Sequence, residues 1–282
     1  MVWSWKLQQA RRRARARQRE QRAEVLDEAR TNPHVEAAIA RHGCSQPTLP
    51  GSPVPYYGQC AEDLIVNALL GAMEPARFAE GRLRYLDLGA NHPVSTSNTW
   101  RLYELGHSGV LVEPIPHLAA ELRRVRPRDV VLQKAVVPTL ESSRVRLHLS
   151  GAHEVSSLSA EFVAHFHHGR PGATLADTVV HTLMVGATTL DAVLEQHFAA
   201  EPPDLLDVDL ESMDLPVLRS LDFERFAPRV IVVEPSDRFR VEPTRRTSEL
   251  LSELLCDRGY VLVARTAVNL IFARLQALQA SR

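Results

Sequence analysis

Short apolar runs alternate with amphipathic segments along most of the chain. The main apolar runs are "RYLDLGA", "GVLVEPIP", "DVVLQKAVV", "DLLDVDL" and "RVIVVEP". Between them, apolar residues recur at helical spacing in "AEDLIVNALLGA", "HLAAELRRV", "TTLDAVLEQHF" and "TSELLSELLCDRG". This alternation predicts an α/β fold with a mostly parallel sheet and helices on both faces. The last two runs, within "YVLVARTAVNLIFARL", have no helix between them and predict an antiparallel hairpin at one edge of the sheet.

Residues 138–187 interrupt this alternation. The runs "SRVRLHLS" and "TVVHTLMV" predict two strands, with "EFVAHFHHGRPG" between them. We expect an insertion that acts as a lid near the ligand site. Its histidines, His165, His167 and His168, include no i, i+4 pair, so we expect an exposed polar loop there rather than a metal site.

The first fifty residues differ in composition from the rest. The stretch "RRRARARQREQRAEVLDEAR" is rich in helix-forming and basic residues, and a Pro/Gly/Ser linker over residues 43–58 follows it. We therefore predict a basic helical extension and linker over residues 1–50 and a catalytic domain over 51–282. A solvated helix is the simplest interpretation of the extension, while Trp3 and Trp5 leave a peripheral membrane or protein contact open.

Composition narrows the class of protein. Of 282 residues, 45% are hydrophobic and 24% are charged, which suits a globular protein with a sizeable core. The net charge of −1 predicts no nucleic-acid partner. Three scattered cysteines indicate a reducing, cytoplasmic setting, and they offer no CxxC zinc site. We find no run of 18 apolar residues that would predict a transmembrane helix, and no apolar core of a signal peptide.

Polar residues at the ends of the predicted strands indicate a ligand site. In open α/β sheets, ligands bind outside the carboxyl ends of the strands. The first strand ends at Asp87 and Gly89, and the second ends at Glu113, one strand–helix–strand unit later. An acid at the latter position typically binds ribose hydroxyls. The first turn has a single glycine rather than GxGxxG, so we expect an adenosine ligand without a pyrophosphate.

Several motifs together resemble the FkbM-type family of S-adenosylmethionine-dependent methyltransferases. In chain order they are "YGQCAEDLIV", "YLDLGANHP", "GVLVEPIP", "LLDVDLESMDLPVLRSLDF", "PRVIVVEP" and "NLIFARL". The resemblance runs from about Tyr57 to Arg274 and implies a class I methyltransferase fold, Rossmann-like, with a seven-stranded sheet whose last strand is antiparallel. Lys134 and Asp207 depart from the residues we would expect in the family, and Ser212 replaces a glycine that is usual after the acidic pair.

The resemblance also implies a set of cofactor-binding residues for S-adenosylmethionine. They are Asp87, Gly89 and Asn91 at the methionine end, Glu113 and Pro114 at the ribose, Gln133, Lys134 and Ala135 beside the adenine, Asp209 beside the transferred methyl, and Gln59 and Asp63 in the segment before the sheet.

The acids of "LLDVDLESMD" suggest how a methyl group could be transferred. A hydroxyl acceptor must lose a proton to a base, which a carboxylate or a histidine can take. We predict Asp209 as the central catalytic group, with Glu211 and His92 as candidate bases. Alternatively, Asp209, Glu211 and Glu234 could bind Mg²⁺.

The neighbouring acids have simpler interpretations. Asp207 is expected to be a solvated or Arg-paired acid. Asp214 is expected to support the N-terminus of the following helix.

The sequence thus predicts an O-methyltransferase acting on a hydroxyl of a sugar, polysaccharide or glycosylated natural product, the acceptor class being implied by the resemblance. The partner is then a small-molecule or glycan acceptor, and an oligomer is compatible with the sequence. Two alternatives remain at this point, a nicotinamide-dependent oxidoreductase and a non-catalytic cofactor-binding scaffold.

Overall fold

A computed structural model of the chain describes residues 55–150, 155–168, 181–237 and 244–280. In chain order its strands are β1 Arg84–Leu88, β2 Ser108–Val112, β3 Val130–Leu132, β4 Ala135–Val136, β5 Arg144–Leu149, β6 His181–Thr188, β7 Leu205–Val208, β8 Val230–Val233, β9 Tyr260–Arg265 and β10 Leu270–Arg274. Its helices are α1 Glu62–Met73, α2 Pro75–Ala79, α3 Trp100–Glu104, α4 Pro116–Val125, α5 Ala160–His168, α6 Leu190–Phe198, α7 Asp214–Ser220, α8 Thr247–Asp257 and α9 Leu275–Ala280.

The larger sheet has seven strands in the order β3-β2-β1-β7-β8-β10-β9. The pairings from β3 to β8 are parallel, whereas β10 is antiparallel to both of its neighbours. The predicted class I methyltransferase fold, with its antiparallel last strand and terminal hairpin, is confirmed. The strand order reverses between β1 and β7, and ligand sites in open α/β sheets form at such a switch point.

The two faces of this sheet bury separate apolar clusters, because successive side chains along a strand point to opposite sides. Leu86 and Leu206 face the cluster formed with α6, α7 and α8. Tyr85 and Leu205 face the cluster formed with α1 and α3. Helices therefore cover both faces, and the carboxyl ends of β1, β2 and β7 open toward the clefts described below.

The run "DVVLQKAVV" forms two short strands rather than the single strand predicted. β3 pairs with β2, but β4 belongs to a second, three-stranded sheet of order β4-β6-β5. The exposed polar pair Gln133–Lys134 separates the two apolar halves, and Lys134 N–H donates to the Leu132 carbonyl in a turn. The chain leaves the main sheet at this turn.

The described part of the insertion at 138–187 contributes β5 and β6 to this second sheet. A third apolar cluster joins the sheet to α4; its members are Ile115, Leu118, Ala135, Leu147 and Val185. The predicted polar loop with the histidines was wrong, because residues 160–168 form helix α5. Ser159 Oγ accepts from Phe162 N–H at its start, and the buried Phe162 and Val163 anchor it.

The predicted basic extension, residues 1–50, lies outside the described residues, so this domain boundary stays a prediction. In the part of the chain that the structure describes, no helix has the length and apolar character needed to cross a bilayer.

A buried guanidinium lies under the carboxyl end of β1. Arg126 is fully buried, and it donates to Asp129 at 2.8 Å, to the Tyr85 hydroxyl at 3.0 Å and to Thr99 Oγ1 at 3.1 Å. The Thr99 hydroxyl in turn donates to Asp87 Oδ2 at 2.6 Å. A charge removed from water is tolerated only when its partners are in place. This network therefore supports both the fold and the position of Asp87.

Replacing Asp129 by Asn should lower the free energy of unfolding by about 3–5 kcal/mol, because the buried Arg126 would lose the carboxylate to which it donates directly. Asp257→Asn, at an exposed acid, is the matched control and should change the free energy by less than about 0.5 kcal/mol. Urea unfolding measures both. A loss at Asp129 no larger than that of the control would contradict this account of Arg126.

Candidate functional site

Two adjoining clefts open at the carboxyl ends of β1, β2 and β7. The apolar cleft has a volume of about 620 Å³, including space open to solvent. Most of its wall is apolar, formed by Val112, Ile115, Ala135, Val136, Leu147, Leu158, Leu210 and Met213. The acidic cleft has a volume of about 470 Å³, measured in the same way, and its wall includes Asp87, Asp207, Asp209 and Glu211. The clefts share Gly89, Asn91, Asp209 and Glu211, so they are two ends of one continuous site.

The glycine after β1 is required by a close approach of two backbones. Gly89 has a φ of +86°, in the left-handed region that favours glycine. A Cβ placed on it would lie 1.9 Å from the Asp209 carbonyl oxygen. Asp209 N–H also donates to the Leu88 carbonyl at 3.0 Å, which continues the pairing of β1 with β7. The floor of both clefts therefore depends on a residue without a side chain at position 89.

Glu113 is held at the end of β2 by two backbone donors. Its Oε2 accepts from Asn91 N–H at 2.9 Å, and its Oε1 accepts from Ile115 N–H at 2.7 Å. Burial raises the pKa of Glu113 to about 7, partly offset by these two hydrogen bonds. Its carboxyl group therefore has a fixed orientation on the wall of the apolar cleft.

Two acids on neighbouring strands face the acidic cleft. Asp87 and Asp207 are directly paired in the register of β1 and β7. Burial raises the pKa of both carboxyl groups, and for Asp207 the nearby Asp87 raises it further. Asp207 accepts from Asn98 Nδ2 at 3.2 Å and is buried, so the expected solvated or Arg-paired acid is wrong. Asn98 Oδ1 is buried and has no hydrogen-bond partner among the described residues.

Asp209 lies where the two clefts meet. Burial raises its pKa well above the usual range, and the carboxylates of Glu234 and Glu211 add to this effect. Asp209 shares a hydrogen bond with Glu234, whose own pKa burial raises to about 7. The other oxygen of Asp209, Oδ1, is buried without a partner in the described part of the chain. Asp209 thus lines both clefts and keeps one buried oxygen without a partner among the described residues.

The predicted role of Asp214 is refined by its contacts. It is the first residue of α7, and its two oxygens accept from Leu210 N–H at 2.7 Å and Ser212 N–H at 3.2 Å. The side chain therefore closes the turn that leads into the helix.

Most of the residues predicted for the site line the two clefts. They are Gln59, Asp87, Gly89, Asn91, Glu113, Pro114, Lys134, Ala135, Asp209 and Glu211. Four others line neither cleft: Asp63, His92, Gln133 and Glu234.

The reasons for these four differ. Asp63 is fully buried, and it accepts from Gly58 N–H and from Arg101, so it supports the segment that carries Gln59. His92 is buried, and its Nδ1 accepts from Val94 N–H at 3.1 Å and Ser95 N–H at 2.7 Å, so it fixes the turn and is poorly placed as a base. Gln133 is exposed in the turn between the two sheets. Glu234 lies outside both clefts and shares a hydrogen bond with Asp209.

The predicted magnesium site stays a prediction. Among the described residues, no group of three or more His, Cys, Asp or Glu side chains is placed to hold a metal ion. Asp209, Glu211 and Glu234 nevertheless lie close enough to influence one another electrostatically. Their proximity raises carboxyl pKa values, as expected for buried like charges without a cation.

Other residues of the site were missed or only partly anticipated from the sequence. Ser156, Ser157 and Leu158 of the insertion line the apolar cleft, while Asn98 and Thr99 hold the acids of β1 and β7. Asn98 lies near the first turn and has the polar type that suggests contact. The insertion residues carry no such signal, since only the fold brings them to the cleft.

Comparison with known proteins gives the family. Residues 87–262 match the methyltransferase FkbM domain, which is more than half of the chain. The chain belongs to the FkbM methyltransferase family. The match begins at Asp87, the first acid of the site, and includes Glu113, Asp209 and Glu211. No curated protein matches the chain significantly.

Solved structures that resemble the chain are distant. An O-methyltransferase from Bacillus cereus in complex with S-adenosylhomocysteine is 13% identical, with a TM-score of 0.40. The alignment covers 89% of this chain and 90% of the B. cereus protein. A TehB-like S-adenosylmethionine-dependent methyltransferase from Corynebacterium glutamicum is 13% identical, with a TM-score of 0.35. The alignment covers 88% of this chain and 98% of the C. glutamicum protein. The assignment of the fold depends instead on the strand order and the family match.

Gly89→Ala should lower the free energy of unfolding by about 2–4 kcal/mol, since the added methyl meets a backbone carbonyl and the backbone is left-handed. Gly71→Ala is the control: at this helical glycine a new Cβ would make only ordinary van der Waals contact, with the Phe78 ring at 3.8 Å. The control should be neutral or stabilising by up to about 1 kcal/mol. Urea unfolding of both variants measures the difference, and equal stabilities would refute the close approach.

Proposed function

We propose that the chain is an S-adenosylmethionine-dependent O-methyltransferase that methylates a hydroxyl of a sugar, polysaccharide or glycosylated natural product. The observation that carries the proposal is Asp209, a carboxyl group at the junction of the two clefts with one buried, unpartnered oxygen among the described residues. A group that takes a proton from the acceptor must lie beside the transferred methyl, and Asp209 lines both clefts at the point where they meet. The sugar class of the acceptor rests on the family resemblance.

The residues present fit S-adenosylmethionine. Apolar side chains of the apolar cleft suit an adenine ring, and the Glu113 carboxyl group suits the two ribose hydroxyls. The acidic cleft suits the positively charged methionine end, because Asp87, Asp207 and Asp209 supply negative charge there. The unpartnered Oδ1 atoms of Asn91 and Asn98 add two acceptors for its polar groups. A cation would also offset the repulsion among these buried acids.

In the proposed reaction, the bound cofactor supplies an electrophilic methyl group on a sulfonium. Asp209 accepts the proton of the acceptor hydroxyl while the new C–O bond forms and the C–S bond breaks. The products are a methyl ether and S-adenosylhomocysteine, with the proton on Asp209. A raised pKa makes this carboxylate a stronger base for a weakly acidic alcohol. Alignment of the oxygen with the methyl contributes further.

The family match favours methyl transfer over the nicotinamide-dependent oxidoreductase that the sheet alone allows. The family match does not show whether the chain is an enzyme or a non-catalytic scaffold. Turnover by the wild type and by the Asp209→Asn variant distinguishes these two possibilities. Contact of residues 1–50 with a membrane surface or a protein stays a prediction.

Asp209→Asn should reduce turnover about 10²–10⁴-fold, since the amide cannot act as a general base. The assay is transfer of a tritiated methyl from S-adenosylmethionine to a panel of methyl glycosides and glycosylated polyketides. Affinity for S-adenosylhomocysteine, measured by calorimetry, should change by no more than about tenfold. Asp257→Asn serves as the control. Full turnover in the Asp209 variant would exclude this residue as the base, and binding without turnover in the wild type would favour the scaffold.

Binding of S-adenosylhomocysteine should weaken as the pH falls below about 7. Ribose hydroxyls donate to ionised Glu113, whose pKa is raised to about 7, so a proton must be released before binding at lower pH. We expect affinity to rise up to about tenfold per unit between pH 5.5 and 6.5 and to level off above pH 8.

Calorimetry in buffers of different ionisation enthalpy would detect the released proton. The Glu113→Gln variant should bind S-adenosylhomocysteine more weakly and release no proton from this position. This result distinguishes the titration of Glu113 from that of the other carboxyl groups of the site. An unchanged pH profile in this variant would contradict the role given to Glu113.

A further inference from the structure

The loop that carries the acids of the site has a strained backbone. We define the acid loop as residues 209–214, which joins β7 to α7. Two consecutive residues in it are left-handed, Glu211 with φ of 48° and Ser212 with φ of 89°. Side chains other than glycine adopt this region at a cost of about 1–2 kcal/mol each. Such a backbone persists only where surrounding contacts hold it.

One of these contacts comes from the insertion. Ser157 Oγ donates to the Glu211 carbonyl at 2.7 Å and lies 3.5 Å from Ser212 Oγ. Asp214 holds the other side of the loop through Leu210 N–H and Ser212 N–H. The strained pair is therefore fixed from α7 and from the second sheet.

Ser157 is itself held rigidly. It is only 2% exposed, and its backbone pairs with His148 of β5 through two hydrogen bonds of 2.8 Å and 3.1 Å. Its Oγ also accepts from Ser159 N–H at 3.0 Å. The bond from Ser159 N–H uses a lone pair of Ser157 Oγ and not its hydrogen. The hydroxyl hydrogen can therefore be donated to the Glu211 carbonyl. The flanking residues Ser156 and Leu158 line the apolar cleft, so the segment contacts the acid loop and the cleft together.

We propose that Ser157 is a positioning residue for methyl transfer. Its hydroxyl fixes the left-handed backbone of Glu211 and thereby the carboxyl groups of Glu211 and Asp209 at the junction of the clefts. This role rests on the function proposed above. It assigns the insertion a structural task at the site, the bracing of the acid loop.

Ser157→Ala tests the proposal. We expect kcat to fall at least tenfold, while KM for S-adenosylmethionine and Kd for S-adenosylhomocysteine stay within about threefold. Ser157→Thr, which keeps the hydroxyl, should recover most of kcat. Ser252→Ala is the matched control: its Oγ also donates to a backbone carbonyl at 2.7 Å, but on α8, and kcat should not change.

Hydrogen exchange gives a readout that needs no acceptor. In Ser157→Ala, the amides of residues 210–213 should exchange at least tenfold faster than in the wild type, while those of β1 and β2 keep their rates. Unchanged exchange in the acid loop would overturn the proposal, as would an unchanged kcat. If the wild type binds S-adenosylhomocysteine but methylates no acceptor, the proposed function fails, and the exchange rates alone decide whether Ser157 braces the loop.

Discussion

The site depends on the close approach of β1 and β7 at their carboxyl ends. The Asp209 carbonyl occupies the space where a side chain of residue 89 would begin, so the two strands meet there backbone to backbone. This contact places the acid of β1 beside the acids of β7 and leaves open space on both sides. The apolar cleft and the acidic cleft are the two halves of that space. Every role given to Asp87, Glu113 and Asp209 presupposes this meeting of strands.

Placing several carboxyl groups at this point raises the free energy of the empty protein. Burial and mutual repulsion raise the pKa values of Asp207 and Asp209, and burial raises those of Glu113 and Glu234. The folded state therefore holds protons that the unfolded chain would release, and stability falls as the pH rises from about 4.5 toward 7. Such a site is suited to a ligand that brings positive charge. The sulfonium and ammonium groups of S-adenosylmethionine have this property, and a carboxyl group of raised pKa is also a competent base.

The sequence predicts the sheet and the acids at the strand ends because both depend on local patterns. Apolar runs separated by helical segments predict the parallel strands, and acids that follow those runs give Asp87, Glu113 and Asp209. Local patterns are less informative where contacts between distant residues fix a side chain. His92 has the chemistry of a base but is held by two backbone amides, and Gln133 lies in a turn between two sheets. The network from Arg126 to Asp87 and the brace from Ser157 to Glu211 join residues far apart in sequence, so no local pattern indicates them.

Ligand-dependent thermal stability tests the central claim most directly. The protein would be heated alone, with S-adenosylhomocysteine and with NAD. A ligand at about 100 times its dissociation constant adds roughly 2.7 kcal/mol of stability, which is seen as a clear rise in melting temperature. The account predicts a rise with S-adenosylhomocysteine and none with NAD. A rise with NAD alone, or no rise with either compound, would contradict the assignment of the two clefts to a methyl donor.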